Sequence, residues 1–128
     1  MSALLPSPTK PSAPAPDAFS GLTAAAAAAV FGASTHALAT PTRRAVIARA
    51  RQFAVYLHHV GLGESVSACA RLFARDRSTV RHACARIEDL RDDPCFDFGV
   101  TILESALRAQ RDLARLLVDA TETRGDVQ

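Results

Sequence analysis

Apolar positions recur at helical spacing through most of the chain, and no segment alternates as a strand would. Thr40-Pro41 is a cap-and-first-turn signal for the first strong helix. Val46, Ala50, Phe53, Ala54 and Leu57 form its stripe, and Gly61 and Gly63 end it. Ser65 caps a short helix to Phe73, with Val66, Cys69, Ala70 and Phe73 inward. After a break at Ala74-Arg75, Asp76 caps another helix, whose apolar face is Val80, Ala83, Cys84, Ile87 and Leu90. Asp92-Asp93-Pro94 stops it. A last helix is expected over about 98–120, with Ile102, Leu103, Ala106, Leu107, Leu113, Leu116 and Leu117 on its apolar side. Its acids Glu104, Asp112 and Asp119 are expected on a solvated face. Upstream, an Ala-rich helix spans Leu22 to Phe31, capped by Ser20 or Thr23, and Gly32 ends it before a connector of about one helical turn. The expected class is all-α: a helical domain over 20–120, with a helix-turn-helix at about 65–91.

Composition fixes the ends. Five of the seven prolines lie in residues 1–19, which read as a disordered tail. Residues 121–128 read as a disordered end. The 128 residues are 48% apolar but only 5% aromatic, so the core is thin and rich in alanine. No apolar run approaches the ~20 residues that cross a bilayer, and no signal peptide is recognisable. The three cysteines have no paired spacing, which argues against a disulfide framework and fits a reducing cytoplasm.

Charge narrows the function classes. The net +2 hides a basic middle: residues 41–91 hold ten Arg against four acids, and residues 92–128 hold four Arg against eight. Such a basic stretch suits a polyanion. The one lysine, Lys10, lies in the Pro-rich tail, so there is no G-x-x-x-x-G-K-(S/T) phosphate loop, nor a G-x-G-x-x-G. No nucleotide, cofactor or metal is expected. His58, His59, His82 and Cys84 lack ligand spacing, and Cys84 and His82 sit on different helix faces, unsuited to nucleophilic catalysis. No enzyme activity is expected.

Two short helices about three residues apart outline a helix-turn-helix. Ala70, Ala74 and Val80 give its small, small, aliphatic spacing. On the second helix Arg77, Ser78, Thr79, Arg81 and His82 face away from the apolar stripe. Recognition helices present their N-terminal residues to base edges, where Arg pairs bidentately with guanine. The free N–H groups at such a terminus also suit phosphate.

At these residues a family resemblance emerges. Arg75-Asp76-Arg77-Ser78-Thr79-Val80-Arg81-His82-Ala83-Cys84, followed by Arg86-Ile87-Glu88, resembles G-R-D-H-T-T-V-L-H-A-C-R-K-I-E. That signature marks the C-terminal DNA-binding domain of the bacterial replication initiator DnaA. Ala50-Arg51-Gln52-Phe53-Ala54-Val55-Tyr56-Leu57 resembles the family's P-R-Q-(I/M)-A-M-(Y/A)-L. The resemblance covers about residues 22–108. It implies a TrpR-like helical domain that reads a short asymmetric DNA box as a monomer. It places Asp76, Arg77, Ser78 and Thr79 in the major groove and Arg43 in the adjacent minor groove. Arg51, Gln52, His82 and Arg86 match positions near phosphates or the groove edge, and Arg44 and Arg81 add charge there. Arg77 stands where the family has His, and Ser78 where it has Thr, losing a methyl that touches thymine. Ala74 replaces Gly-Gly, Arg81 an apolar residue, Ser67 a Pro and Ala50 a Pro. The family's ATPase and N-terminal oligomerisation modules have no counterpart in these residues.

The expected function is therefore sequence-specific binding of double-stranded DNA at initiator-like boxes. It would regulate replication initiation or transcription in the bacterial cytoplasm, at the nucleoid, without ATPase activity and without a membrane. Its rivals are a repressor of an unrelated operator and a helical protein–protein adaptor. The last helix offers an apolar edge for dimerisation, though a monomer on DNA is the first expectation.

Overall fold

The computed structural model describes Phe19 and residues 21–126. Among these residues the regular structure is helical: α1 (Leu22–Val30), α2 (Thr35–Leu38), α3 (Ala45–Tyr56), α4 (Val66–Leu72), α5 (Arg77–Leu90) and α6 (Pro94–Asp126). The last turn of α3 widens into a π-helical segment, Leu57–Gly61. No helix of the described residues is long and apolar enough to cross a membrane.

α3 is the central element and packs against both α1 and α5. Ala50, Phe53, Ala54, Tyr56 and Leu57 are fully buried. The alanines of α1 explain the fit, because Ala24, Ala27 and Ala28 are buried and their short side chains let α1 approach closely. The few aromatics do much of the filling. Phe53 meets Phe31 edge-on at 5.7 Å, stacks on Tyr56 at 6.4 Å and touches Phe96 at 5.8 Å, which ties α6 to α3. Pairs of this kind add about 0.5–1.5 kcal/mol beyond area burial.

Several expectations change. α3 starts at Ala45, not at Thr40-Pro41, because two contacts hold the preceding backbone out of the helix. Thr42 Oγ1 accepts from the Arg44 N–H at 3.3 Å. The Arg51 guanidinium donates to three carbonyls, those of Leu38 (2.8 Å), Thr42 (2.8 Å) and Thr40. The inward residue of the first turn is accordingly Ile47, and Val46 is exposed. α1 has Gly21 at its N-cap, with Thr23 buried inside the helix. Phe19, assigned to the tail, is 3% exposed and packs on Phe73 at 5.4 Å. The remainder of the expected tail lies outside the described residues, as do Ser20 and the last two residues of the chain.

The two helices on either side of the Ala74-Arg75 break are α4 and α5. Ser65 Oγ caps α4 by accepting from the Ala68 N–H at 3.0 Å. Ala74 sits at φ 53°, the left-handed conformation that usually requires glycine. There it closes a Schellman motif, with Arg75 N–H donating to Ala70 O at 3.0 Å and Ala74 N–H to Arg71 O at 3.4 Å.

α6 begins at Pro94, about four residues before the expected start. Proline suits a first helical position, and Asp93 Oδ1 accepts from the Cys95 N–H at 2.9 Å. The same Pro that stops α5 thus starts α6. Only the first half of α6 is covered by the body: Val100, Glu104 and Leu107 are buried, and Phe96 and Leu103 partly so. Glu104, expected in solvent, is 6% exposed. Beyond Arg111 every described side chain is exposed.

Candidate nucleic-acid interface

The site begins with the N-terminal turn of α5. Asp76 is its N-cap in extended conformation, and its Oδ1 accepts from the Thr79 N–H at 2.8 Å and from Ser78 Oγ at 2.9 Å. Hydrogen bonds from Thr79, then from Ser78, hold the carboxyl below the ordinary carboxylate value. The carboxylate therefore remains an acceptor at neutral pH, and its Oδ2 makes none of these bonds.

Arg77, Ser78, Thr79, Arg81, His82 and Arg86 are all exposed on α5, whereas Val80, Ala83 and Ile87 point into the core. Among the described residues no hydrogen bond or ion pair occupies Arg77, Arg81, His82 or Arg86. An exposed helix start with unspent cationic donors is an anion-attracting surface.

α3 supplies the adjoining wall. Gln52 and Thr79 line one concavity of about 180 Å³ between α3 and α5, together with Arg51, Arg75 and the apolar floor of Phe19, Val55, Phe73 and Val80. The structure thus brings Gln52 next to the α5 turn, 27 positions away in sequence. Arg43 and Arg44 are exposed in the extended stretch that enters α3. That stretch is the one anchored by Arg51.

Arg51 is where residue-level expectation and structure part. It was expected at the phosphates, but its donors hold the 38–42 backbone. Burial, then the charge of Arg75, lowers its pKa from the ordinary value, and the guanidinium still stays charged. Its role is to fix the path of the segment that carries Arg43 and Arg44. Arg75 is the cation that the sequence pattern placed in the turn and not in the site. It is half-buried at the mouth of the same concavity. The signal was its place directly before the Asp76 cap.

Two of the three cysteines, Cys69 and Cys84, are held as thiols. Burial pushes the Cys69 and Cys84 thiols up to about 11, so both stay protonated at neutral pH. Among the described residues no three His, Cys, Asp or Glu side chains gather to hold a metal.

The family described as the bacterial dnaA protein helix-turn-helix matches residues 24–87, half of the chain. The chain belongs to this family. The match runs from Ala24, within α1, through Ile87 of α5 and leaves α6 outside it. Its members are DNA-binding helix-turn-helix domains, not an enzyme fold. Searches of curated proteins and of solved structures return no match.

Proposed function

We propose that this domain reads a short duplex box of the replication-initiator type and so regulates replication initiation or transcription, without hydrolysing a nucleotide. One observation carries the reading. The α5 N-terminal turn combines a fixed cap, exposed hydroxyls and unpaired arginines on the family's recognition helix.

In this reading Arg77, Ser78 and Thr79 lie in the major groove, with Arg77 pairing to guanine and Asp76 Oδ2 accepting from a base amino group. Arg43 reaches the adjacent minor groove. Arg44, Gln52, Arg81, His82 and Arg86 meet phosphates or the groove edge and position the domain without carrying sequence information. Each copy reads its own box. With Arg51 turned inward, the Arg–phosphate contacts are those of Arg44, Arg81 and Arg86, for a slope of log affinity against log salt of about −3.

The test is a competition gel shift at two salt concentrations, with a duplex selected from random sequence and a scrambled control. Arg77→Ala should weaken the selected box by about 1–3 kcal/mol more than the scrambled duplex, while Arg86→Ala weakens both alike and lowers the salt slope by about one. Equal losses on both duplexes for Arg77→Ala would mean that α5 does not read sequence.

A further inference from the structure

α6 runs 33 residues, yet its last tertiary tethers are Arg108 Nε to Gly61 O at 2.7 Å and an Arg111 Nη1 bond to Leu62 O at 2.9 Å. About four further turns project from the body. Helical segments of that length are marginal in water without a packed face. This one has an apolar face that no other described residue covers. Leu113 is 56% exposed, Leu116 66% and Leu117 60%.

The spacing of the exposed apolar residues is regular. Ile102, Ala106, Ala109, Leu113, Leu116 and Ala120 follow one another at intervals of 4, 3, 4, 3 and 4, and all six are exposed. That is an unbroken a/d seam, the pattern of a helix that packs against another helix. It lies away from Val100, Glu104 and Leu107, which face the body, so the body leaves it open.

We propose that the seam pairs with the same seam of a second copy, antiparallel, about a two-fold axis near Arg111. The sizes select this occupant. With the axis there, Ile102 faces the second copy's Ala120, Ala106 its Leu116 and Ala109 its Leu113, so every layer sets one large side chain against one alanine. Each contact recurs with the copies exchanged, as an isologous interface requires. A parallel pair would stack alanine on alanine in two adjacent layers and leave them underfilled.

Area and charge agree. At roughly 100 Å² for each large side chain and less for each alanine, the seam and Leu117 expose roughly 500 Å² per copy, so a pair that covered them fully would bury about 1,000 Å², where specific interfaces begin. No charged residue occupies an a or d position. Asp112 falls beside the axis, where its own Arg111 Nε sits on Oδ1 at 3.1 Å and offsets the like charge.

Sedimentation equilibrium of the full chain without DNA, from low micromolar to sub-millimolar concentration, tests the pairing independently of DNA reading. The expected mass is twice 13.6 kDa. Leu113→Glu with Leu116→Glu should weaken association at least about 100-fold, with the urea midpoint of the monomer unchanged because both residues are exposed. In a Cys95→Ser background, oxidation should cross-link the Ala109→Cys, Leu113→Cys double variant between copies and leave Leu113→Cys alone uncross-linked. A monomer at all concentrations overturns the proposal, including one in which residues 1–18 or another protein cover the seam. So does association unaffected by the glutamates. Efficient cross-linking of Leu113→Cys to itself replaces the antiparallel register with a parallel one and overturns it as well.

Discussion

α5 and the distal half of α6 each give a full helix face to solvent, and they differ in what holds them and in what they show. α5 is fixed at both ends, by the Asp76 cap and by Arg91 at its C-cap. Its outward residues are polar from Arg77 to Glu88, apart from Ala85. α6 is fixed at its start and along its first half only, and its projecting end shows leucines. A face that stays polar is at home in water and suits a charged ligand, whereas an exposed row of leucines marks a surface made to be covered. The proposed reading and the proposed pairing thus fall on different helices, and the family match ends at Ile87, before α6 begins.

The sharpest break in the contrast comes at Arg91, the C-cap of α5, whose side chain bonds residues of α6. Its Nε meets Asp97 at 2.5 Å, Nη1 meets Tyr56 Oη at 2.8 Å and Glu104 Oε1 at 3.2 Å, and Nη2 meets Thr101 Oγ1 at 2.8 Å. Tyr56 Oη in turn donates to Glu88 at 2.6 Å. Burial opposes the charge on Arg91, but the bonds to Asp97 and Tyr56 outweigh it and raise its pKa. Burial, then the bond to Glu88, raises the pKa of Tyr56 as well, so its hydroxyl remains a donor. Arg91→Met would leave Glu104 buried and uncompensated. Losing one partner of a buried pair costs about 3–5 kcal/mol, and urea unfolding should show a loss of that size. A loss below 1 kcal/mol would mean that apolar packing, such as Phe96 on Phe53, holds α6 to the body without this network.

Arg51→Met comes next and acts on the reading side. It frees three carbonyls that bond a charged donor, and bonds to charged groups contribute about 1.5–3 kcal/mol each where they are buried. Because Arg51 is only part-buried, about 2 kcal/mol in total is expected. Thermal unfolding gives the loss, and hydrogen exchange should locate it in residues 38–44. If stability held and only DNA affinity fell, Arg51 would be a phosphate contact after all.

These contacts also mark how far the sequence could be read. The caps at Ser65 and Asp76, the break at Ala74 and the stop at Pro94 were all legible, because each is a local rule about φ or an orphan N–H. The outward set on α5 was legible for the same reason, since a correct cap fixes the phase of the helix. What failed was non-local. Val46 and Ile47 are adjacent and both apolar, so periodicity cannot choose between them until the start of α3 is known. Phe19 was hidden by the prolines before it. Glu104 looks solvated until Arg91 is seen to reach it from another helix. Arg51 has an equal claim on phosphate and on carbonyls, and only the irregular path of residues 38–42 decides.

A smaller change sharpens the contrast without touching either face. Ala74 holds the left-handed position between α4 and α5 at a cost of about 1–2 kcal/mol relative to right-handed backbone. Ala74→Gly relieves the strain, less the entropy that glycine adds to the unfolded chain. A net gain of about 1 kcal/mol is expected in urea unfolding, with self-association unchanged. A loss of stability would show that the methyl group is packed rather than merely tolerated.

The smallest effect is a pH dependence at the π turn, the grip on α6. His58 meets Phe73 edge-on at 5.8 Å, and its Nδ1 is buried without a hydrogen-bond partner. Burial lowers its pKa from the ordinary 6.5, only partly offset by the charge of Glu64. The sign follows from proton uptake. The unfolded chain binds this proton at a higher pH than the folded one, so stability from neutral His58 is complete above about pH 6.5 and falls as pH drops from there towards the folded value. Asp76 acts the same way in a lower window. Its folded pKa is depressed, so its contribution is full above the ordinary 3.8 and lost as pH falls through the folded value. Urea midpoints taken from pH 7.5 to pH 5 therefore isolate His58. The wild type should lose stability across that range, by less than the Ala74→Gly gain because the ring is only half-buried, and His58→Leu should flatten the curve. Protonation there would loosen the turn whose Gly61 and Leu62 carbonyls hold Arg108 and Arg111. Hydrogen exchange at pH 5 should then rise in residues 57–63 and along α6 before it rises in α5. A uniform rise through both helices would mean that α6 is no more loosely held than the helix it is compared with.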